Sequence, residues 1–214
     1  MATRSMAMPC DRLVRICTDM TGRIINADDY RRMRWKNGAG ETIEIAKFPP
    51  DADLDNFGWR ISMATIASDG PFSAFPGIER TLSILSGAGI SLTVGNDDPV
   101  RLDTESAPFV FEADTKAAAQ LIDGPITDFN VMTRRSGWRH AVRKIRTAAG
   151  DVLTIDNSAA HTIVFCCSGT FDASDGTATA LLVANGTLWL EHGGDIWSLE
   201  SGTLFIVEID AITT

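Results

Sequence analysis

Residues 81–94 read Thr81-Leu82-Ser83-Ile84-Leu85-Ser86-Gly87-Ala88-Gly89-Ile90-Ser91-Leu92-Thr93-Val94. A β-prone apolar run, a glycine-rich break and a second such run spell strand, turn, strand. The two glycines give the backbone freedom that a tight reversal demands. The same grammar continues on both sides of this hairpin. Residues 42–47 and 59–66 alternate with the period of two that belongs to a strand. Residues 108–112 and 129–133 add two further runs. The second half repeats the style at 140–146, 152–155, 162–167, 178–183, 187–191, 195–199 and 204–209. Turn signals fall between them: Ala149-Gly150-Asp151, Asp175-Gly176, Asn185-Gly186 and Gly193-Gly194.

Helical periodicity is weak throughout. Residues 115–122 alone have a comfortable helical composition, and a short strand could also fit there. Many short strands at near-regular spacing predict an all-β sandwich or barrel. About thirteen are too many for one small barrel, and 214 residues leave room for two units of about 100. The expected organisation is therefore two linked β-barrels, residues 24–122 and 123–214, joined near 122–127. Asn185-Gly186 is a loose counterpart of the first hairpin's turn. Residues 1–23 lack periodicity and are expected to form a mobile N-terminal extension.

Hydrophobic residues make up 44% of the chain and charged residues 22%, which excludes general disorder. The formal net charge of −9 disfavours nucleic acid and anionic membranes as partners. That charge is unevenly spread. All 19 Lys and Arg lie between Arg4 and Arg146, whereas residues 147–214 carry nine acids and no Lys or Arg. The acidic last third reads as a solubilising surface. The balanced remainder is free to present a cationic pocket. The basic stretches 31–36 and 134–146 read first as strands with solvated edge charges.

The longest apolar runs, such as 163–167 and 204–207, are far below a membrane span, and the N-terminus lacks the apolar core of a signal peptide. Cys10, Cys17, Cys166 and Cys167 form no C-x-x-C pattern, so a reducing cytoplasm is the expected setting. No metal or cofactor is expected. His140, His161 and His192 stand 21 and 31 residues apart and supply no His pair on one strand face. Glu191, His192 and Asp195 read as a solvated acidic turn. Neither a Gly-x-Ser-x-Gly elbow nor a phosphate loop is present.

Period two then sorts the polar candidates. Arg60, Ser62, Ala64 and Ile66 share one face of their strand. Asp128, Asn130, Met132 and Arg134 share one face of theirs. Polar residues turned into a barrel leave room and donors for a polar small molecule. The competing reading is that Arg60 pairs with Asp128 or another acid for structure alone.

These residues also carry a family likeness. Trp35-Lys36-Asn37-Gly38-Ala39-Gly40-Glu41-Thr42, Phe57-Gly58-Trp59-Arg60-Ile61-Ser62-Met63-Ala64, Asp69-Gly70-Pro71-Phe72-Ser73-Ala74-Phe75-Pro76-Gly77 with Arg80, and Gly124-Pro125 followed by 128–135 resemble, in order, blocks of the HutD/Ves family. The resemblance implies a bicupin, two cupin-like β-barrels in one chain, in agreement with the strand count. It implies a non-enzymatic regulatory role in bacterial histidine utilisation. The implied ligand is a small anionic metabolite such as urocanate, formiminoglutamate or formylglutamate. The implied ligand-binding residues are Lys36, Asn37, Arg60, Ser62, Arg80, Asp128, Asn130 and Arg134. Ala39 and Ile43 depart from the family pattern, which has glycine and commonly a basic residue there. Two other readings stay open. One is a metal-free cupin enzyme, an isomerase or hydrolase, with Asp128 or Glu44 as base and Lys36 as electrophile. The other is a protein-interaction scaffold with an acidic second half. A homodimer is compatible with all three.

Overall fold

The computed structural model describes residues 22–35, 40–156 and 158–212. Among these residues are nineteen strands and a single three-residue 3-10 turn, Ala27–Asp29, so the molecule is nearly all-β. No helix among them is long and apolar enough to cross a membrane. Gly87 and Gly89 take φ of 94° and 101°, and residues 78–86 and 90–94 are strands as the sequence predicts. A Cβ on Gly89 would collide with the Leu102 carbonyl, so the turn excludes any larger residue there.

Four antiparallel sheets form. The first half supplies a six-stranded sheet in the order Arg31–Arg34, Gly40–Phe48, Trp59–Ile66, Ile126–Arg134, Ile78–Ser86, Phe109–Glu112. It is backed by a four-stranded sheet, Gly70–Pro71, Ala117–Leu121, Ile90–Val94, Val100–Leu102. The second half supplies a five-stranded sheet, Gly22–Ile25, Thr187–Leu190, His161–Ser168, Gly202–Ala211, Trp138–Thr147. Behind it lie Val152–Ile155, Gly194–Ser198, Thr170–Ser174 and Thr179–Val183. Among the described residues no ladder closes into a barrel.

Four apolar clusters are buried among the described residues, and three of them hold these sheets together. Leu82, Ile84, Ile90, Leu92 and Ile126 pack within the first pair. Val164, Phe171, Leu182, Leu188, Ile196 and Ile206 pack within the second. The third core joins the backs of the two large sheets, where Trp59, Ile61, Phe129 and Val131 meet Ile163, Phe165, Phe205 and Val207. Phe129 stacks on Phe165 with centroids 4.9 Å apart. The large sheets are thus middle layers covered on both faces, which is why Ile126–Arg134 and His161–Ser168 are buried almost throughout. Thr179–Val183 and Ala117–Leu121 belong to the outer sheets and alternate buried with exposed.

Two features depart from the sequence expectation. Ile126–Arg134 lies beyond the expected junction, yet it pairs with both Trp59–Ile66 and Ile78–Ser86 in the first-half sheet. The chain passes to the other pair of sheets only after Arg134. Gly22–Ile25 pairs with Thr187–Leu190, so an early strand of the chain belongs to the second-half sheet. Residues 115–122 contain a strand and no helix. Strands missed by periodicity, such as Gly22–Ile25, Gly70–Pro71 and Val100–Leu102, have four, two and three residues. Runs that short show no period and exist through their ladder partners.

Candidate functional site

Register assembles the polar residues. Met132 lies opposite Arg60 on one side and Arg80 on the other, and Asn130 lies between Ser62 and Leu82. Asp128 follows on the same face, opposite Ala64 and Ile84. Arg60, Arg80, Asn130 and Asp128 are therefore neighbours across three strands and point toward the small sheet. A β-bulge between Glu44 and Ala46 in Gly40–Phe48 adds to this face. Residues three apart on a regular strand face opposite ways, but the inserted residue turns Glu44 and Lys47 to the same side. Glu44 then receives Arg60 Nε at 2.8 Å and Lys47 Nζ at 3.2 Å on its two carboxylate oxygens.

Between the two first-half sheets lies a cavity of about 660 Å³, with Trp35, Asp69, Phe72 and Phe75 among its walls and the Glu44–Lys47 pair just behind Arg60. Arg60, Ser62, Arg80, Asp128 and Asn130 all belong to the lining. The two arginines differ in their partners. Arg60 is ion-paired to Glu44, and its Nη1 donates to Ser62 Oγ at 3.3 Å. Arg80 donates Nε to the neutral Asn130 Oδ1 at 2.8 Å, with Nη2 on the same oxygen. Phe72 lies over the Arg80 guanidinium at 4.3 Å. Asn130 Nδ2 donates to Asp128 Oδ1 at 2.6 Å, and Ala64 N donates to the same oxygen at 3.1 Å. Among the described residues Asp128 Oδ2 has no hydrogen-bond partner.

Electrostatics follow from burial. Arg80 is 4% exposed and Asp128 is 0% exposed. Burial pushes the Asp128 carboxyl up to about 6, against the opposing pull of Arg80 and its two hydrogen bonds. Burial likewise lowers Arg80, to about 10. Burial also works against an ionised Glu44, but Arg60 and Lys47 outweigh it and hold its carboxyl below the usual range. With both acids ionised, Arg60, Lys47 and Arg80 exceed Glu44 and Asp128 by one positive charge.

The remaining predicted residues lie elsewhere. Arg134 shares the face of Asn130 by periodicity but sits past the cavity. Its guanidinium caps the carbonyls of Phe57 and Asp55 at 3.0 and 2.8 Å. Lys36 and Asn37 lie outside the described residues. Lys47 and Phe72 were missed as site candidates, because the bulge that turns Lys47 inward leaves no mark in the sequence. Among the described residues no three His, Cys, Asp or Glu converge to hold a metal. His140 is buried behind the site, hydrogen bonded at 2.7 Å to both Thr81 Oγ1 and Thr133 Oγ1.

Comparison with known proteins bears on the same residues. The sequence matches HutD over residues 27–205. The chain belongs to the HutD family. The HutD chain is 39% identical to Protein Ves of Citrobacter koseri over 156 residues, 71% of this chain and 78% of that protein. It is 35% identical over 137 residues to an uncharacterized 21.2 kDa protein in the hutC 3′ region of Pseudomonas putida, covering 61% and 71% of the two chains. The structure of HutD from Pseudomonas fluorescens superimposes with a TM-score of 0.75 at 27% identity, covering 90% of this chain and all of that one. Distant likenesses show the fold alone. A bacterial pirin of Escherichia coli (8% identity) and oxalate decarboxylase of Lactobacillus farciminis (7% identity) each give a TM-score of 0.65. These neighbours make the fold cupin-like.

Proposed function

We propose that this HutD protein binds a small anionic metabolite in the first-half cavity, without turnover, and regulates histidine utilisation through that occupancy. The observation that carries the reading is Arg80. It is a buried guanidinium bonded to a neutral amide, in a cavity with one excess positive charge. A buried cation without a bonded carboxylate favours an anion at its free edge. Arg60 is a second, partly neutralised fork, and Ser62 and Asn130 are neutral polar groups beside it. The relative in the hutC 3′ region supports the histidine-utilisation setting. Each large sheet with its small partner is read as one cupin-like unit, so the chain is a bicupin with its ligand in the first unit.

The test is calorimetry with urocanate, formiminoglutamate and formylglutamate on wild type, Arg80→Ala and Arg60→Ala. Removing one partner of a buried charge pair weakens binding by ~2–5 kcal/mol, and Arg80→Ala is expected to fall in that range. Arg60→Ala is expected to lose less, since Glu44 already occupies its Nε. Binding that is absent in wild type, or equal in all three proteins, sinks the reading.

A second reading rests on Asp128. A carboxyl near 6 in a cavity is poised to exchange a proton at neutral pH. Turnover of one of these acids by purified protein, lost in Asp128→Asn, would make the protein a metal-free cupin enzyme.

A further inference from the structure

We propose that the cavity takes up its anion together with a proton, and that Asp128 receives the proton. This rests on the anion-binding reading above and assigns the two charged partners of the cavity different tasks.

Geometry carries the argument. Asp128 is fully buried and, among the described residues, has two hydrogen bonds on Oδ1 and none on Oδ2. A buried carboxylate with one bare oxygen stays ionised only under the field of a nearby cation. That cation is Arg80, one neutral side chain away. Asn130 donates its amide to Asp128 and takes Arg80 on its oxygen. Asn130 is thus the positioning residue that couples the two. Phe72 covers a guanidinium face, which steers an anion to the guanidinium edge. The other charged groups around Asp128 carry one net positive charge among them. On the neighbouring strands Arg60 and Lys47 share Glu44, and on the cavity wall stand Arg34 and Asp69.

An anion seated on Arg80 cancels the field that holds Asp128 ionised. A proton then moves from a buffer acid or hydronium to Oδ2: its bond to that donor breaks, one O–H bond forms at Oδ2, and no other bond changes. The charge of the one carboxylate seated on Arg80 is matched by the proton's, so that exchange leaves the net charge at Arg80 and Asp128 unchanged. Burial already holds the Asp128 carboxyl at about 6 against the pull of Arg80 and two hydrogen bonds, so relieving the pull of Arg80 favours its protonation at neutral pH.

The experiment is calorimetry with formate and formylglutamate in two non-carboxylate, non-phosphate buffers of different ionisation enthalpy. At pH 7.5 the expected uptake approaches one proton per anion, and at pH 5 it approaches zero. Between pH 7.5 and about 6 affinity rises about tenfold per unit of falling pH. Asp128→Asn should bind about 30-fold more tightly than wild type at pH 7.5, with no uptake and no pH slope. A protonated-carboxyl infrared band appearing in wild type on ligand addition at pH 7.5 gives the same answer without a variant. Binding at pH 7.5 with no proton uptake and no such band overturns the inference and leaves the anion-binding reading standing. No binding at either pH overturns both.

Discussion

The two halves of the molecule share a layout and differ in what the large sheet turns inward. In the first half the inward rows carry Arg60, Ser62, Arg80, Asn130 and Asp128, and a cavity of about 660 Å³ stands between the sheets. In the second half the equivalent space holds Val164, Cys166, Leu204 and Ile206 against Phe171, Ala173, Leu182 and Ile196. That half is packed shut. Apolar side chains close a gap because contact and dehydration both favour it. Guanidinium and carboxylate groups hold a gap open, because they need hydrogen-bond partners that an apolar facing sheet cannot supply. The layout provides a container, and the inward residue types decide whether it is filled from within or from solution.

The comparison breaks most visibly at Phe171. It is fully buried in the closed half, and Gly202 is the residue whose missing Cβ makes room for its ring. Phe171→Ala is expected to lose ~3–5 kcal/mol of stability by urea denaturation. Ser62→Ala in the open half should lose only about 1 kcal/mol, below the usual worth of a hydrogen bond to a charged group, because the contact is long at 3.3 Å and Arg60 keeps Glu44. Equal losses would show that the first half is as tightly packed as the second.

Two buried titratable groups sharpen the contrast through pH. The Asp128 carboxyl is raised to about 6, so its contribution to stability is present below about 4 and is lost as pH rises through 6. His140, at the seam between the large sheets, is lowered by burial to about 4. Its contribution is present above about 6.5 and is lost as pH falls toward 4. Between pH 4 and 7 wild type should lose on the order of 2 kcal/mol relative to Asp128→Asn as pH rises. Against His140→Gln the slope should have the opposite sign. Denaturation midpoints at the two pH values decide both. The smallest effect belongs to the outer edge: Glu208→Gln removes an exposed pair with Arg143 and should change stability by less than about 1 kcal/mol.

Much of this contrast is legible in the residues. Period two put Arg60 with Ser62 and Asp128 with Asn130, because side-chain direction along a strand is a local property. The Gly87-Ala88-Gly89 hairpin was equally local. What the sequence hid is everything that depends on who lies opposite. Arg60 bonds to Glu44 and not to Asp128, because the bulge at 44–46 brings Glu44 and Lys47 onto its face. Arg134 has the right parity, but the carbonyls of Asp55 and Phe57 lie closer to it than the cavity does. The expected junction at 122–127 followed the spacing of strands along the chain. The ladder instead keeps Ile126–Arg134 between two first-half partners.

The charge pattern shows the same division. By itself the sequence determined an all-β chain, its turns, the faces of its longer strands and a charge-balanced first part followed by an acidic last third. Tertiary structure decided that these charges interleave. Arg139 and Arg143 of the basic stretch 134–146 meet Asp210 and Glu208 across one ladder. It also decided that one excess positive charge remains in the first-half cavity. Turns and strand faces follow from bonded neighbours, and so they can be read in order. Register, bulges and burial follow from contacts between residues far apart in the chain, and they alone set which charges are neutralised and which are left for a ligand.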